Sequence, residues 1–401
     1  MEYPEYVARI ITKLERRGYE AYIVGGSVRD MLLGKAPHDY DVTTSAKPEE
    51  ILDVFSDMRT IPTGIKHGTV TVLSDGEPIE VTTFRIDGEY LDSRRPEKVF
   101  FTDDITADLS RRDFTVNAMA YSEKRGLIDV FGGKDDLRDG IIRAVGVPEE
   151  RFREDALRIM RAFRFSSQLG FRIEKNTLDA AKKMRDGLSK IATERIAGEF
   201  IRTVCNNTVS TTLDVMAKEG ILEYVLGKYT PSKRVLSALD VAKPLPQIRL
   251  GILLSEADTD EAVRILRSIK LSNKLVSDSK RIADELRTGL GKTEADARRL
   301  VGRVGELALD VLAAAEALGT LDSEFCLCVK ASIEKEECVT IGSLAVHGDA
   351  VIKLGAKGRE VGKILEYLLS RVLEDPTLNE KEKLLALAKT ELERLNGEKN
   401  G

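Results

Sequence analysis

The chain has 401 residues, more than one ordinary domain needs, and its 42% hydrophobic and 32% charged content excludes wholesale disorder. No run of about 18 apolar residues is present, which excludes an ordinary transmembrane helix, and the opening MEYPEYVARI carries no secretory pattern, so the expected compartment is the cytoplasm. The charge sum, 62 − 67 = −5, argues weakly against a polyanionic partner for the chain as a whole.

Val7, Ile10, Ile11 and Leu14 follow the spacing of one helix face. Ala21–Val24 reads as a short buried strand stopping at Gly25-Gly26, and a helix is expected from Ser27 to about Leu33. Asp39–Thr43 alternates as a strand, and Pro48-Glu49-Glu50 opens a helix. Gly68–Leu73 and Ile79–Phe84 are Val- and Thr-rich strands joined by the hairpin turn Ser74-Asp75-Gly76-Glu77. Gly126–Phe131 and Ile141–Val145 complete a small mixed sheet with helices. After Pro148 helical periodicity takes over, with helices expected at 149–169, 174–186, 193–205 and 208–219, and breaks at Asn206-Asn207 and Pro244–Pro246. Between Arg151 and Thr203 there are 13 Lys and Arg against 7 Asp and Glu, a local +6 that suits an anionic ligand or a solvated helix face. The three histidines are too few for a multi-histidine metal hydrolase, and the four cysteines contain no CxxC pair.

Four constellations carry possible chemistry. At Gly25-Gly26 followed by Ser27-Val28-Arg29-Asp30, glycines and a helix start bring backbone N–H groups and Arg29 towards a phosphate. A plain strand-to-helix turn would look the same. Asp39 and Asp41 stand at i and i+2 of the expected strand, so their carboxylates share a face and a divalent cation such as Mg2+ would relieve their repulsion. Glu80, on a later strand, is a candidate third carboxylate or an exposed strand residue. Arg111-Arg112 are expected just before a helix, where guanidinium forks match phosphate oxygens; alternatively they form a solvated turn with Asp113 as partner.

The last constellation is Glu154-Asp155-Ala156-Leu157-Arg158, continuing to Arg161 and Arg164. Within a helix Asp155 and Arg158 are i, i+3 neighbours, an unremarkable exposed pair or a base reader. A carboxylate accepts from an exocyclic amino group while a guanidinium donates to the neighbouring ring atom. Cytosine and adenine fit that pattern; uracil and guanine do not.

Taken together, GGSVRD, DYD, TGIKHGTVTV, IEVTTFR, RRDFTVNAMA, EDALRIMRAFRF and TERIAGEF resemble the class II tRNA nucleotidyltransferases, the CCA-adding enzymes, of the DNA polymerase β-like superfamily. The motifs occur in the family's order over residues 20–205. The resemblance implies an α+β multidomain chain: a catalytic head with a mixed sheet (1–147), then an all-α neck (148–205), body (206–270) and tail (271–401). It implies two CTP and one ATP as substrates, and a tRNA held by its acceptor end and TΨC side, with no protein or membrane partner. Carried over, Gly26 and Arg29 would hold the triphosphate, Asp39 and Asp41 magnesium, and Arg112 with Arg111 the nucleotide. Asp155 and Arg158 would read the base, with Arg161 and Arg164 lining the same pocket. Asp87–Pro96 matches the family's flexible loop, expected to move between C and A addition; its presence speaks against a CC-adding relative. Bacterial poly(A) polymerases usually carry a different segment where this chain has Gly64–Thr69. An A-adding enzyme, a poly(A) polymerase and a non-catalytic RNA-binding module are the remaining alternatives.

Overall fold

The computed structural model describes residues 1–88 and 99–400, and the chain divides into two compact units, Met1–Thr230 with Ser268–Lys270, and Pro231–Arg267 with Leu271–Gly401. In the first unit the opening helix α1 (Glu5–Arg16) places Val7, Ile10, Ile11 and Leu14 in the core, as their spacing predicts. Each such burial stabilises by roughly 1.5–3 kcal/mol. Strand β1 (Ala21–Val24), helix α2 (Gly26–Leu32), strand β2 (Asp41–Thr44) and helix α3 (Pro48–Val54) follow. Then come β3 (Thr60–Gly64), β4 (Thr69–Ser74), β5 (Glu77–Thr83), β6 (Arg85–Asp87), β7 (Val99–Phe101), helix α4 (Ile105–Ser110), β8 (Ala120–Ser122) and β9 (Gly126–Ile128).

Seven of these strands form one mixed sheet in the order β3-β4-β5-β2-β1-β8-β9, while β6 and β7 pair as a separate two-stranded arm. The β4–β5 turn puts Asp75 and Gly76 at φ 53° and 87°, the two left-handed positions that a tight two-residue hairpin requires. The pairing that matters most for the site is parallel, β2 against β5, which sets Asp41 directly opposite Glu80. Asp39 itself precedes the strand and is exposed, so the strand expected at 39–43 begins two residues late. The expected loop at Asp87–Pro96 lies, from residue 89 onward, outside the described residues.

Helix α5 (Gly133–Asp139) and strand β10 (Ile141–Ile142) lead into α6 (Pro148–Glu154) and α7 (Leu157–Leu169). The helix expected over 149–169 is therefore two helices. Asp155 between them is extended (φ −144°, ψ 105°), and its side chain accepts the Leu157 N–H at 3.0 Å. A short aspartate competing for a backbone donor ends one helix and starts the next without Gly or Pro. Strand β11 (Arg172–Ile173) pairs parallel with β10, and α8 (Lys175–Met184), α9 (Thr193–Val204) and α10 (Val209–Lys218) complete the helical half of this unit. The expected break at Asn206-Asn207 falls between α9 and α10.

The second unit is helical. One of its cores gathers Ile364, Leu368, Val372, Leu384 and Ala388. The buried Arg298 donates to the carbonyls of Leu373 (2.7 Å) and Glu374 (3.3 Å), satisfying the last turn of the helix Arg359–Glu374. No helix among the described residues is long and apolar enough to cross a membrane.

Candidate active site

Within the first unit a cavity of about 390 Å3 opens where the β1–α2 turn meets the end of α4 and the α6–α7 break. Of the residues singled out in the sequence, Gly26, Arg29, Asp41, Arg111, Arg112, Asp155, Arg158 and Arg161 line it. Asp39, Glu80 and Arg164 do not. Six arginines (adding Arg195) face three aspartates (adding Asp113) in the lining, a surplus of 6 − 3 = +3. Such a wall favours a polyanion.

Gly25 makes the turn. It adopts φ 79°, and a Cβ there would lie 2.8 Å from Arg112 Nη1, so only glycine lets this guanidinium approach the strand end. A Cβ on Gly26 would meet only ordinary contacts with Arg29. Arg29 is buried, donating from Nε to Asp30 and from Nη1 to Asn117 Oδ1, both at 2.8 Å.

The arginine pair is arranged differently from the sequence expectation. Arg111 caps the end of α4 rather than preceding a helix, and from there both guanidiniums reach back one turn to the fully buried Asp108. Arg111 binds it with Nε and Nη2 (3.0 and 2.9 Å), and Arg112 Nη2 stands 3.6 Å away. Burial would raise the Asp108 pKa, but Arg111 and then Arg112 hold it below the usual carboxylate range. Desolvation pulls the Arg112 pKa down despite Asp108 and Asp41, and its Nε–H is buried without a partner among the described residues. A guanidinium stays charged regardless, so Arg112 is an under-neutralised cation. Asp113 is the partner of Arg161 instead, at 2.7 Å from Nε. Arg161, with Arg158, keeps Asp113 ionised against its burial.

The pair expected to read the base is also rearranged. Asp155 and Arg158 are not neighbours on one helix face. Asp155 sits in the break, where Arg195 from α9 donates to its Oδ2 at 2.9 Å. Arg158 opens α7 and bonds the carbonyls of Arg151 (3.1 Å) and Arg111 (3.2 Å) and the Glu154 carboxylate. Arg164 pairs with Glu199 at 2.6 Å, away from the cavity lining.

Asp41 keeps part of its surface in solvent, yet desolvation, then Glu80 and Asp39, push its pKa up to about 6. Arg112, which lines the same cavity, offsets this only in part. Among the described residues no three His, Cys, Asp or Glu side chains form a closed metal cage. The two carboxylates Asp39 and Asp41 are all-oxygen donors, the chemistry a hard divalent ion takes. Gly25, named in the sequence as part of the strand-to-helix turn, lines the cavity beside Gly26. Sequence reasoning missed Asp108 and Arg195, for which the i+3 spacing of Asp108 to Arg111 and the TERIAGEF motif were the available signals.

Comparison with known proteins gives two family matches, the Poly A polymerase head domain over residues 21–143 and the probable RNA and SrmB-binding site of polymerase A over residues 170–232. The CCA-adding enzyme of Ligilactobacillus salivarius is 39% identical over 396 residues, covering 96% of both chains. That of Geobacillus kaustophilus is 38% identical over 388 residues, covering 95% of this chain and 96% of its own. The crystal structure of the Bacillus stearothermophilus CCA-adding enzyme in complex with CTP superposes with a TM-score of 0.84 at 33% identity, covering 100% of both chains.

Proposed function

Since the chain belongs to the CCA-adding enzyme family, we propose that it builds and repairs the 3′-terminal CCA of tRNA without a nucleic-acid template, from two CTP and one ATP. The observation that carries this reading is a single cavity joining a surplus of arginines, a carboxylate with an up-shifted pKa and an aspartate-arginine pair suited to C and A. In each cycle the tRNA 3′-hydroxyl attacks the α-phosphorus in line. The new O–P bond replaces the bond to the β-phosphate, pyrophosphate leaves, and the hydroxyl proton is lost.

Arg29 and Arg112 are assigned to the triphosphate, with Arg111 fixing the pair's geometry through Asp108. Asp155 retains acceptor capacity on both oxygens, and Arg158 has two N–H groups outside its three bonds, enough to read one base edge. Arg161 flanks that pair. Asp39 and Asp41 would hold magnesium, and Glu80, opposite Asp41 on β5, adds to the negative charge such an ion would offset. When bound, the ion steadies charge on the attacking and leaving oxygens. We assign catalysis to residues 1–147, base selection to 148–205, and tRNA binding to 206–270 and 271–401, all in the cytoplasm. Asp39→Ala and Asp41→Ala should each lower C and A addition together by at least about a hundredfold, with tRNA affinity in a filter-binding assay nearly intact. Retention of a tenth of wild-type turnover in Asp41→Ala contradicts the carboxylate assignment.

A further inference from the structure

Phe165 carries no role in the reading above, yet three guanidiniums surround its ring. Arg164 lies 4.0 Å from the ring centroid, Arg29 5.5 Å and Arg161 5.6 Å. The ring is buried, 5% exposed, lines the cavity, and is braced edge-on by Phe114 at 5.7 Å and 76°. The three arginines arrive from two helices, and each has an acidic partner of its own: Asp30, Asp113 and Glu199. Those partners neutralise the three charges separately. The ring face is what they hold in common. An aromatic quadrupole attracts guanidinium within about 6 Å, more strongly where water is excluded, and Arg is the cation best suited to stack there.

We propose that Phe165 is a positioning residue for the transfer reaction. Its π-face holds Arg29 on the triphosphate side and Arg161 on the base side at fixed separation, while Arg164 closes the stack from behind. This explains a role for Arg164, which lies off the cavity but closest to the ring. An aliphatic residue of similar volume would fill the same space and leave the arginines without that anchor. The proposal rests on the nucleotide reading of the cavity.

The test replaces Phe165 with mono-, tri- and pentafluorophenylalanine, which drain the ring quadrupole stepwise at nearly constant shape, alongside Phe165→Tyr, Phe165→Leu and Arg29→Ala. KM for CTP and ATP, the CTP-to-UTP preference and thermal midpoint are measured for each. The KM values should climb stepwise with fluorination, reaching roughly five- to thirtyfold in the pentafluoro and Leu variants. In the fluorinated series the thermal midpoint should stay near wild type while the CTP-to-UTP preference weakens along with KM, since Arg161 shares the ring, and Phe165→Tyr should fall close to wild type because a π-face remains. A flat fluorination series beside an impaired Arg29→Ala overturns the role of the ring alone, as does a KM change that tracks the thermal midpoint. Wild-type CTP affinity in Arg29→Ala overturns the nucleotide reading and the proposal with it.

Discussion

Asp41 concentrates the electrostatics of the site in one carboxyl group. Desolvation and its neighbours Glu80 and Asp39 favour its protonated form, raising the pKa from 3.8 to about 6. The sign follows directly. Between those two values the folded protein holds a proton that the unfolded chain has released, so ionising Asp41 costs folded-state stability as pH rises towards 6. A cation must displace that proton. Mn2+ affinity, read by titration calorimetry on the protein alone, should therefore fall about tenfold per pH unit below 6 and level off above it. A flat profile from pH 5 to 8 contradicts the assignment of the ion to Asp41. Glu80→Gln removes one of the repelling charges, so at pH 7.5 without metal its thermal midpoint should rise while its Mn2+ affinity falls. Gly25 is the backbone counterpart. Gly25→Ala adds about 1–3 kcal/mol of strain at positive φ and places a methyl 2.8 Å from Arg112 Nη1. Its KM should rise for CTP and ATP alike, and an unchanged KM would mean that the guanidinium is not where the triphosphate binds.

Among the elements, the α6–α7 break is the one to which the proposed function assigns base selection. One extended residue turns Asp155 off the helix surface into the cavity, where Leu157 N–H and Arg195 hold its two oxygens. Asp155→Ala loses a charge-assisted contact worth about 1.5–3 kcal/mol, so CTP and ATP use should drop roughly ten- to a hundredfold and exclusion of UTP should relax. Arg195→Ala should relax UTP exclusion in the same direction by a smaller factor, since the carboxylate remains but swings; competition assays with mixed CTP and UTP measure both. Wild-type exclusion in Asp155→Ala would leave the pair as a helix break and nothing more. The sequence announced most of these elements, because the α1 stripe, the Val-rich strands and the GG turn carry strong periodic or steric signals. It did not announce the break, since Phe152, Ile159, Met160 and Phe163 continue an apolar rhythm through Asp155. It also misplaced the arginine pair, because Leu109 and Ser110 look no more helical than the residues after Arg112. Asp108 stayed hidden as one acid among several, its burial visible only once β2, β6 and α4 are packed around it.

Across the whole molecule, every residue lining the cavity belongs to the first unit, while the second is a helical body with its own core. Fold class and activity were legible because the motifs cluster in that first unit. Residues that would contact tRNA from the helical half were not, because Lys and Arg there are scattered among acids. A protein of net charge −5 that binds a polyanion must do so through local contacts exchangeable with salt. Raising salt from about 50 to 200 mM should therefore raise KM for tRNA at least about tenfold, and KM for CTP, whose proposed ligands are the cavity arginines, by less than about threefold. Equal shifts would place both substrates on the exposed surface. The central claim is that one cavity adds C twice and then A. It is tested most directly by giving the protein tRNAs that end before CCA, before CA and before A, each with CTP and ATP together, and sequencing the new 3′ ends. The account predicts that all three finish in CCA and stop there; products extended only from the tRNA lacking the final A, or tails of repeated A, would contradict it.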